Sequence, residues 1–149
     1  MKKTTPMFEI RKVANFQTEF PQVQIKTSKD AYDFISQFYG DDIEAYESFF
    51  ILLLNFANKT IGYAKISQGG ISGTVVDGKI VAKYAVEALA SGVILAHNHP
   101  SGNTQPSQAD IDLTKKMREG LKNLDIQVLD HIILCAEEKY LSLADEGHL

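Results

Sequence analysis

Two histidines separated by one residue, His97 and His99, close the apolar run Val93-Ile94-Leu95-Ala96, and a loop containing Pro100 and Gly102 carries the chain on to Ser107-Gln108-Ala109-Asp110. An apolar run of this kind reads as a buried strand. Side chains alternate along a strand, so the two imidazoles share a face, with Cα atoms about 6.6 Å apart. That separation lets both rings reach one metal ion at about 2.0–2.1 Å. Asp110, at the start of the next helix, adds a carboxylate. His97, His99 and Asp110 leave a fourth tetrahedral position open to water, which distinguishes a catalytic zinc site from a structural one. The pattern predicts one Zn²⁺ per chain and metal-assisted hydrolysis.

Each of these residues also has an ordinary reading. Ser107-x-x-Asp110 ahead of an apolar-periodic helix is equally a capping box, in which both side chains satisfy backbone N–H groups. The serine can cap and still face a cleft, but one carboxylate is not expected to cap and ligate together; the upstream histidines favour ligation. Glu44 and Glu47 lie one helical turn apart before an apolar stretch, and the residues alone leave open whether either enters the site. Asp130-His131 falls in a later apolar run. Ligating histidines commonly pass their second N–H to a carboxylate, so Asp130 is a candidate partner. His131 is a fourth ligand, a supporting partner or an ordinary core residue. Ser101 and Gly102 shape the loop, since no nucleophile elbow or separate base accompanies that serine. The contiguous letters His97-Asn98-His99 do not indicate an HNH nuclease, whose three residues are dispersed over a metal-binding module.

His97-x-His99, seven intervening residues, Ser107, two residues and Asp110 resemble the motif of the JAMM (MPN-type) metalloproteases, which also needs an upstream glutamate. His97-Asn98-His99-Pro100-Ser101-Gly102, with Leu129-Asp130-His131-Ile132-Ile133 about thirty residues on, is similar to the RadC branch of that superfamily. Glu47-Ser48-Phe49-Phe50 resembles the strand in which that branch carries its glutamate. The likeness covers roughly residues 44–149. It implies a mixed β-sheet flanked by helices, the JAMM/MPN (cytidine-deaminase-like) architecture, and a hydrolase acting on a peptide or isopeptide bond. Glu47 would then accept a proton from the attacking water, Ser107 would help stabilise the oxyanion, and Asp110 would be a ligand. RadC relatives also carry a DNA-repair label and place a helix-hairpin-helix region before this domain. The first 45 residues hold one glycine, Gly40, and no paired Gly-containing hairpins, so a stand-alone domain is expected.

The elements that position these residues follow from periodicity. Phe8 to Val13 is an edge strand or an arm, and Val23-Gln24-Ile25 a short strand. Ser28 caps a helix through about Tyr39, with Ala31, Phe34, Ile35 and Phe38 on one stripe and Gly40 as its stop. Glu47 to Phe56 reads as a central strand, Thr60 to Gln68 as a second, and Thr74-Val75-Val76 follows the break at Gly69, Gly70 and Gly73. Lys79 to Ser91 is helical, with Ile80, Tyr84 and Ala88 facing the core and Val81 and Leu89 as further candidates. Val93 to His99 is the histidine-bearing strand. A helix from Ser107 to about Leu124 carries the stripe Ile111, Thr114, Met117, Leu121 and Leu124. Ile126 to Cys135 and Tyr140 to Leu143 finish as strands. This mixture predicts an α/β (α+β) sandwich without a strict βαβ repeat. Residues 1–43 are expected to pack on a metal-binding domain formed by 44–149.

The whole chain limits the function classes. Its 149 residues are 44% hydrophobic and 23% charged, ordinary for a globular protein. One cysteine, Cys135, excludes an internal disulfide and fits a reducing compartment. No segment has signal-peptide or membrane-spanning character, so the cytoplasm is the expected location. A formal charge of −4 argues against a broad DNA footprint. Lys115, Lys116, Arg118 and Lys122 read as a solvated helix face. A protein or peptide substrate is the expected partner. Between Glu47 and His97 there is little beyond two strands and a helix, which leaves no room for long substrate-gripping insertions of the kind that hold ubiquitin. A DNA-associated protein and a metal-bearing scaffold without catalysis are the rival classes.

Overall fold

The computed structural model describes residues 20–70 and 73–149. The expected strand or arm at Phe8–Val13 lies outside them. Helix α1 (Ser28–Ile35) is followed by two 3₁₀ turns, Ser36–Phe38 and Asp41–Glu44. Then come β1 (Ser48–Leu54), β2 (Thr60–Gln68), α2 (Gly78–Glu87), β3 (Gly92–Asn98), α3 (Gln108–Lys122), β4 (Gln127–Leu134) and β5 (Tyr140–Ser142). The sheet order is β2-β1-β3-β4-β5, with β3 and β4 parallel and the other pairs antiparallel. The predicted mixed α/β sandwich is therefore the observed one.

β1 and β3 are buried along their whole length, which is why their sequences read as unbroken apolar runs. Alternation sorts their side chains between two layers. Phe49, Ile51, Leu53, Val93 and Leu95 pack with Val81, Ala85, Met117 and Leu121 of α2 and α3. Leu52, Leu54, Ile94, Ala96, Ile132 and Leu134 pack with Ala31, Phe34 and Ile35 of α1. Full burial of such side chains is worth about 1.5–3 kcal/mol each, so the central strands are the rigid frame of the molecule. His97 falls on the α2/α3 face by the same alternation.

Several boundaries differ from the sequence reading. Thr27, not Ser28, caps α1 through a capping box with Asp30. Val23–Ile25 forms only an isolated bridge, Gln24 with Lys59. The break expected at Gly69, Gly70 and Gly73 is present: the Gly73 backbone lies so close to Gly69 that a Cβ there would stand 1.9 Å from the Gly73 carbonyl oxygen, and Thr74–Val76 follows as irregular chain. In α2 the buried residues are Val81 and Ala85. Ile80 is exposed, and Leu89, past the helix end at φ 52°, is 84% exposed. The core-facing stripe is thus centred on Val81 and Ala85, with Tyr84 and Ala88 packing partly buried beside them. Leu124, after α3 has ended, is also exposed.

Candidate metal centre

The β3 C-terminus, the α3 N-terminus and the approach to β1 meet at one edge of the sheet, around a cleft of about 450 Å³. Ligand sites of open α/β sheets favour the carboxyl ends of strands. His97 is the penultimate residue of β3. His99 follows the strand, yet its N–H still donates to the Leu134 carbonyl at 2.9 Å, extending the ladder by one residue. The two rings converge, with their Nε2 atoms 2.9 Å apart. Asp110 Oδ1 lies 3.3 Å from His97 Nε2, and Asp110 Oδ2 lies 3.6 Å from His99 Nε2. Glu47 Oε1 also approaches His97 Nε2, at 3.6 Å. Glu47, His97 and His99 each turn a ligand atom toward the others within 4.8 Å, an arrangement able to hold a metal ion.

The outward nitrogens of both rings are already engaged. His99 Nδ1 lies 2.5 Å from the Asn103 carbonyl oxygen, which can only accept, so Nδ1 carries the proton and Nε2 presents a lone pair. His97 Nδ1 lies 2.7 Å from His131 Nε2. What remains inside the cleft is a ring of acceptors, imidazole nitrogen and carboxylate oxygen, and such a set calls for a proton or a cation at its centre. Imidazole and carboxylate donors suit zinc. The donors present are therefore compatible with a metal ion, the group that meets within 4.8 Å being Glu47, His97 and His99.

Asp110 departs from expectation. Its carboxylate was expected to choose between cap and cleft, and it does both. Oδ2 accepts the Ser107 N–H at 2.8 Å while Ser107 Oγ accepts the Asp110 N–H at 3.1 Å, completing a capping box at the start of α3. Oδ1 stays free to face His97. Partial burial alone would raise the Asp110 pKa, but the His97 and His99 rings and the Ser107 N–H hold it well below the usual carboxylate range. Reciprocally, the Asp110 carboxylate raises the His99 pKa despite desolvation.

Glu47 sits just ahead of β1 and is fixed from behind by residues with no signal in their types alone. Asn98, wholly buried on the face opposite His97, accepts the Ser48 N–H at 2.7 Å. Its amide donates to the Ile43 and Tyr46 carbonyls at 2.7 and 2.8 Å. The Tyr39 hydroxyl, its pKa pushed well up by burial, donates to the Ser48 carbonyl at 3.0 Å. Gly73 closes over the carboxylate, where a Cβ would stand 3.3 Å from Glu47 Oε2. The one available clue to Asn98 was its place between two same-face histidines, which sends it to the other face. Asn98→Asp keeps the shape but turns a carboxylate oxygen toward two carbonyls. Urea unfolding should show a loss of about 3–5 kcal/mol, the usual penalty of an uncompensated buried charge. The loss should deepen as pH rises, because burial raises the new carboxyl's folded pKa and stability is lost as the group ionises. Wild-type midpoints across pH would show that Asn98 does not hold the segment.

Asp130 does not support a ligating histidine. It accepts from Ser142 Oγ at 2.6 Å, the Ala144 N–H at 3.0 Å and the His131 N–H at 2.7 Å, and so anchors the C-terminal turn. His131 is the residue in contact with His97, and full burial holds its pKa well below the ordinary value. Ser101, on the loop, lines the cleft with Ser107.

A mixed sheet that carries two histidines and a helix-capping aspartate at one strand end, with a glutamate beside them, defines a JAB/MPN-type domain. The RadC-like JAB domain model matches residues 25–148, and the chain belongs to that family. It is 46% identical over 124 residues to a UPF0758 protein of Flavobacterium johnsoniae, covering 83% of this chain and 53% of the relative. A UPF0758 protein of Porphyromonas gingivalis is 42% identical over 125 residues, 84% of this chain and 54% of the relative. One from Methanosarcina barkeri is 36% identical over 141 residues, 95% and 60%. The chain thus spans about half the length of the first two relatives. Among the described residues, no helix is long and apolar enough to cross a membrane.

Proposed function

We propose that this chain is a zinc-dependent hydrolase of the JAMM type, with His97, His99 and Asp110 holding one ion per chain and a peptide or isopeptide amide as substrate. The observation that carries this reading is the convergence of two imidazole Nε2 atoms and two carboxylates on one cleft. When bound, zinc supplies Lewis acidity, bringing water towards a pKa of roughly 7 and polarising a carbonyl.

The chain's own residues do the rest. Glu47, held by its pinned backbone, takes the proton of the attacking water and delivers it to the leaving nitrogen. Ser107 Oγ accepts the Asp110 N–H, which leaves its own O–H free to donate to the oxyanion that develops as the carbonyl is attacked. Because that charge exists only in the transition state, the contact favours rate over substrate binding. The buried Cys135 suits a reducing compartment such as the cytoplasm.

Metal-depleted protein should take up one zinc per chain and gain activity against a library of fluorogenic peptide and isopeptide amides. Apparent affinity should weaken on acidification, since protons compete for His99, whose pKa Asp110 raises. Uptake of zinc with no amide cleaved would make the chain a metal-bearing scaffold. Salt-sensitive binding of duplex DNA without cleavage would favour the DNA-associated reading.

A further inference from the structure

We propose that Thr114 and His131 form a proton-ordering relay, anchored on the Asp110 backbone carbonyl, that fixes His97 as its Nδ1–H tautomer with the Nε2 lone pair turned into the cleft. This rests on the reading of His97 as a metal ligand and assigns two further positioning residues to that site.

The order follows from which atoms can donate. Thr114 Oγ1 lies 2.7 Å from the Asp110 carbonyl oxygen, one helical turn back in α3, and 2.6 Å from His131 Nδ1. A carbonyl only accepts, so the single hydroxyl proton of Thr114 belongs to the Asp110 contact. The hydroxyl oxygen must then accept, and His131 Nδ1 carries a proton. A neutral imidazole has one N–H, so His131 Nε2 is the acceptor. Its partner at 2.7 Å, His97 Nδ1, therefore donates. His97 Nε2 is left with its lone pair, 3.3 Å from Asp110 Oδ1. Any other neutral tautomer of either ring leaves one of these three contacts without a proton or with two, and the fourth short contact, His97 Nε2 to His99 Nε2 at 2.9 Å, is left for a proton or a cation to fill.

Packing makes the order rigid. Thr114 and His131 are wholly buried, so no solvent can substitute for either partner. Phe49 sets its ring edge-on to His131 at 5.4 Å between centroids and stacks parallel to His97 at 6.0 Å. The relay also closes on itself, because Asp110 anchors it through the main chain and meets His97 Nε2 through the side chain. A displacement of the first turn of α3 would thus disturb ligand and tautomer together. Supporting partners of metal-bound histidines are typically worth 10–100-fold in affinity.

Long-range ¹⁵N–¹H correlation spectra of the metal-free wild-type chain, on the alkaline side of neutrality, read the tautomers directly. Nδ1–H on both His97 and His131 is expected; either ring protonated at Nε2 and not at Nδ1 overturns the relay. Thr114→Val removes the hydroxyl at nearly constant shape and should raise the zinc dissociation constant about 10–100-fold. Thr114→Ser should restore both the spectrum and the affinity. An unchanged tautomer and affinity in Thr114→Val would also overturn it. A wild-type chain with Nδ1–H on both rings but no divalent-cation binding would support the relay and defeat the metallohydrolase reading.

Discussion

Replacing Glu47 with glutamine is expected to lower amide hydrolysis by about 10²–10⁴-fold, the range contributed by a positioned general base. Bound zinc should stay near one per chain. Glutamine keeps the length and planarity of the side chain, and the backbone at this point is held by partners that do not involve the carboxylate: the Glu47 N–H bonds to Gly70 and its carbonyl accepts from Gly69. Only the capacity to take a proton is removed. The distances sharpen the test. Glu47 Oε1 is 3.6 Å from His97 Nε2, little farther than Asp110 Oδ1 at 3.3 Å, so geometry alone admits Glu47 as a ligand. Zinc lost together with activity in Glu47→Gln would mean that ligand and base have been exchanged.

Asp110→Asn and Asp110→Ala should both lower zinc affinity by more than about 100-fold, beyond the range expected for an outer partner. They should part company in stability. Asparagine retains an oxygen able to accept the Ser107 N–H, whereas alanine removes that half of the capping box. Metal-free Asp110→Ala should therefore be less stable than metal-free Asp110→Asn, by about 0.5–2 kcal/mol. Thermal unfolding in chelator, paired with zinc competition titration, separates the two roles. Equal stability of the two variants would show that the cap contributes nothing. Zinc affinity preserved in Asp110→Asn would show that the carboxylate is not a ligand.

Much of this is legible in the sequence. Runs such as Val93–Ala96 and Phe49–Leu54 announce buried central strands, and a His-x-His pair at the end of one has its geometry dictated by alternation. The site's outer partners were harder to read. Asp130 had the right residue type to support a histidine, yet its lone pairs are taken by Ser142, Ala144 and a backbone N–H on the other side of the strand. The partner is His131, its neighbour, because β4 turns alternate residues to opposite faces. Thr114 was read as part of an apolar stripe, and its hydroxyl meets His131 only because α3 crosses β4 at that turn. Asn98 was invisible for a similar reason: its three partners come from Ile43, Tyr46 and Ser48, some fifty positions away in the chain. Periodicity reports which face a residue occupies; it does not report what another element brings to that face. The errors in α2, Ile80 and Leu89, have a related origin: a short helix of small apolar residues is compatible with more than one rotation, and packing in the cluster that includes Leu95 and Met117 centres it on Val81 and Ala85.

Anomalous scattering at the zinc edge, recorded from crystals of the zinc-reconstituted chain, tests the central claim most directly. One peak per chain is expected, about 2.0–2.2 Å from His97 Nε2, His99 Nε2 and an Asp110 carboxylate oxygen, with solvent in the remaining position and Glu47 outside bonding distance. A peak elsewhere, or none between the two rings while Asp110 merely closes its capping box, would contradict it.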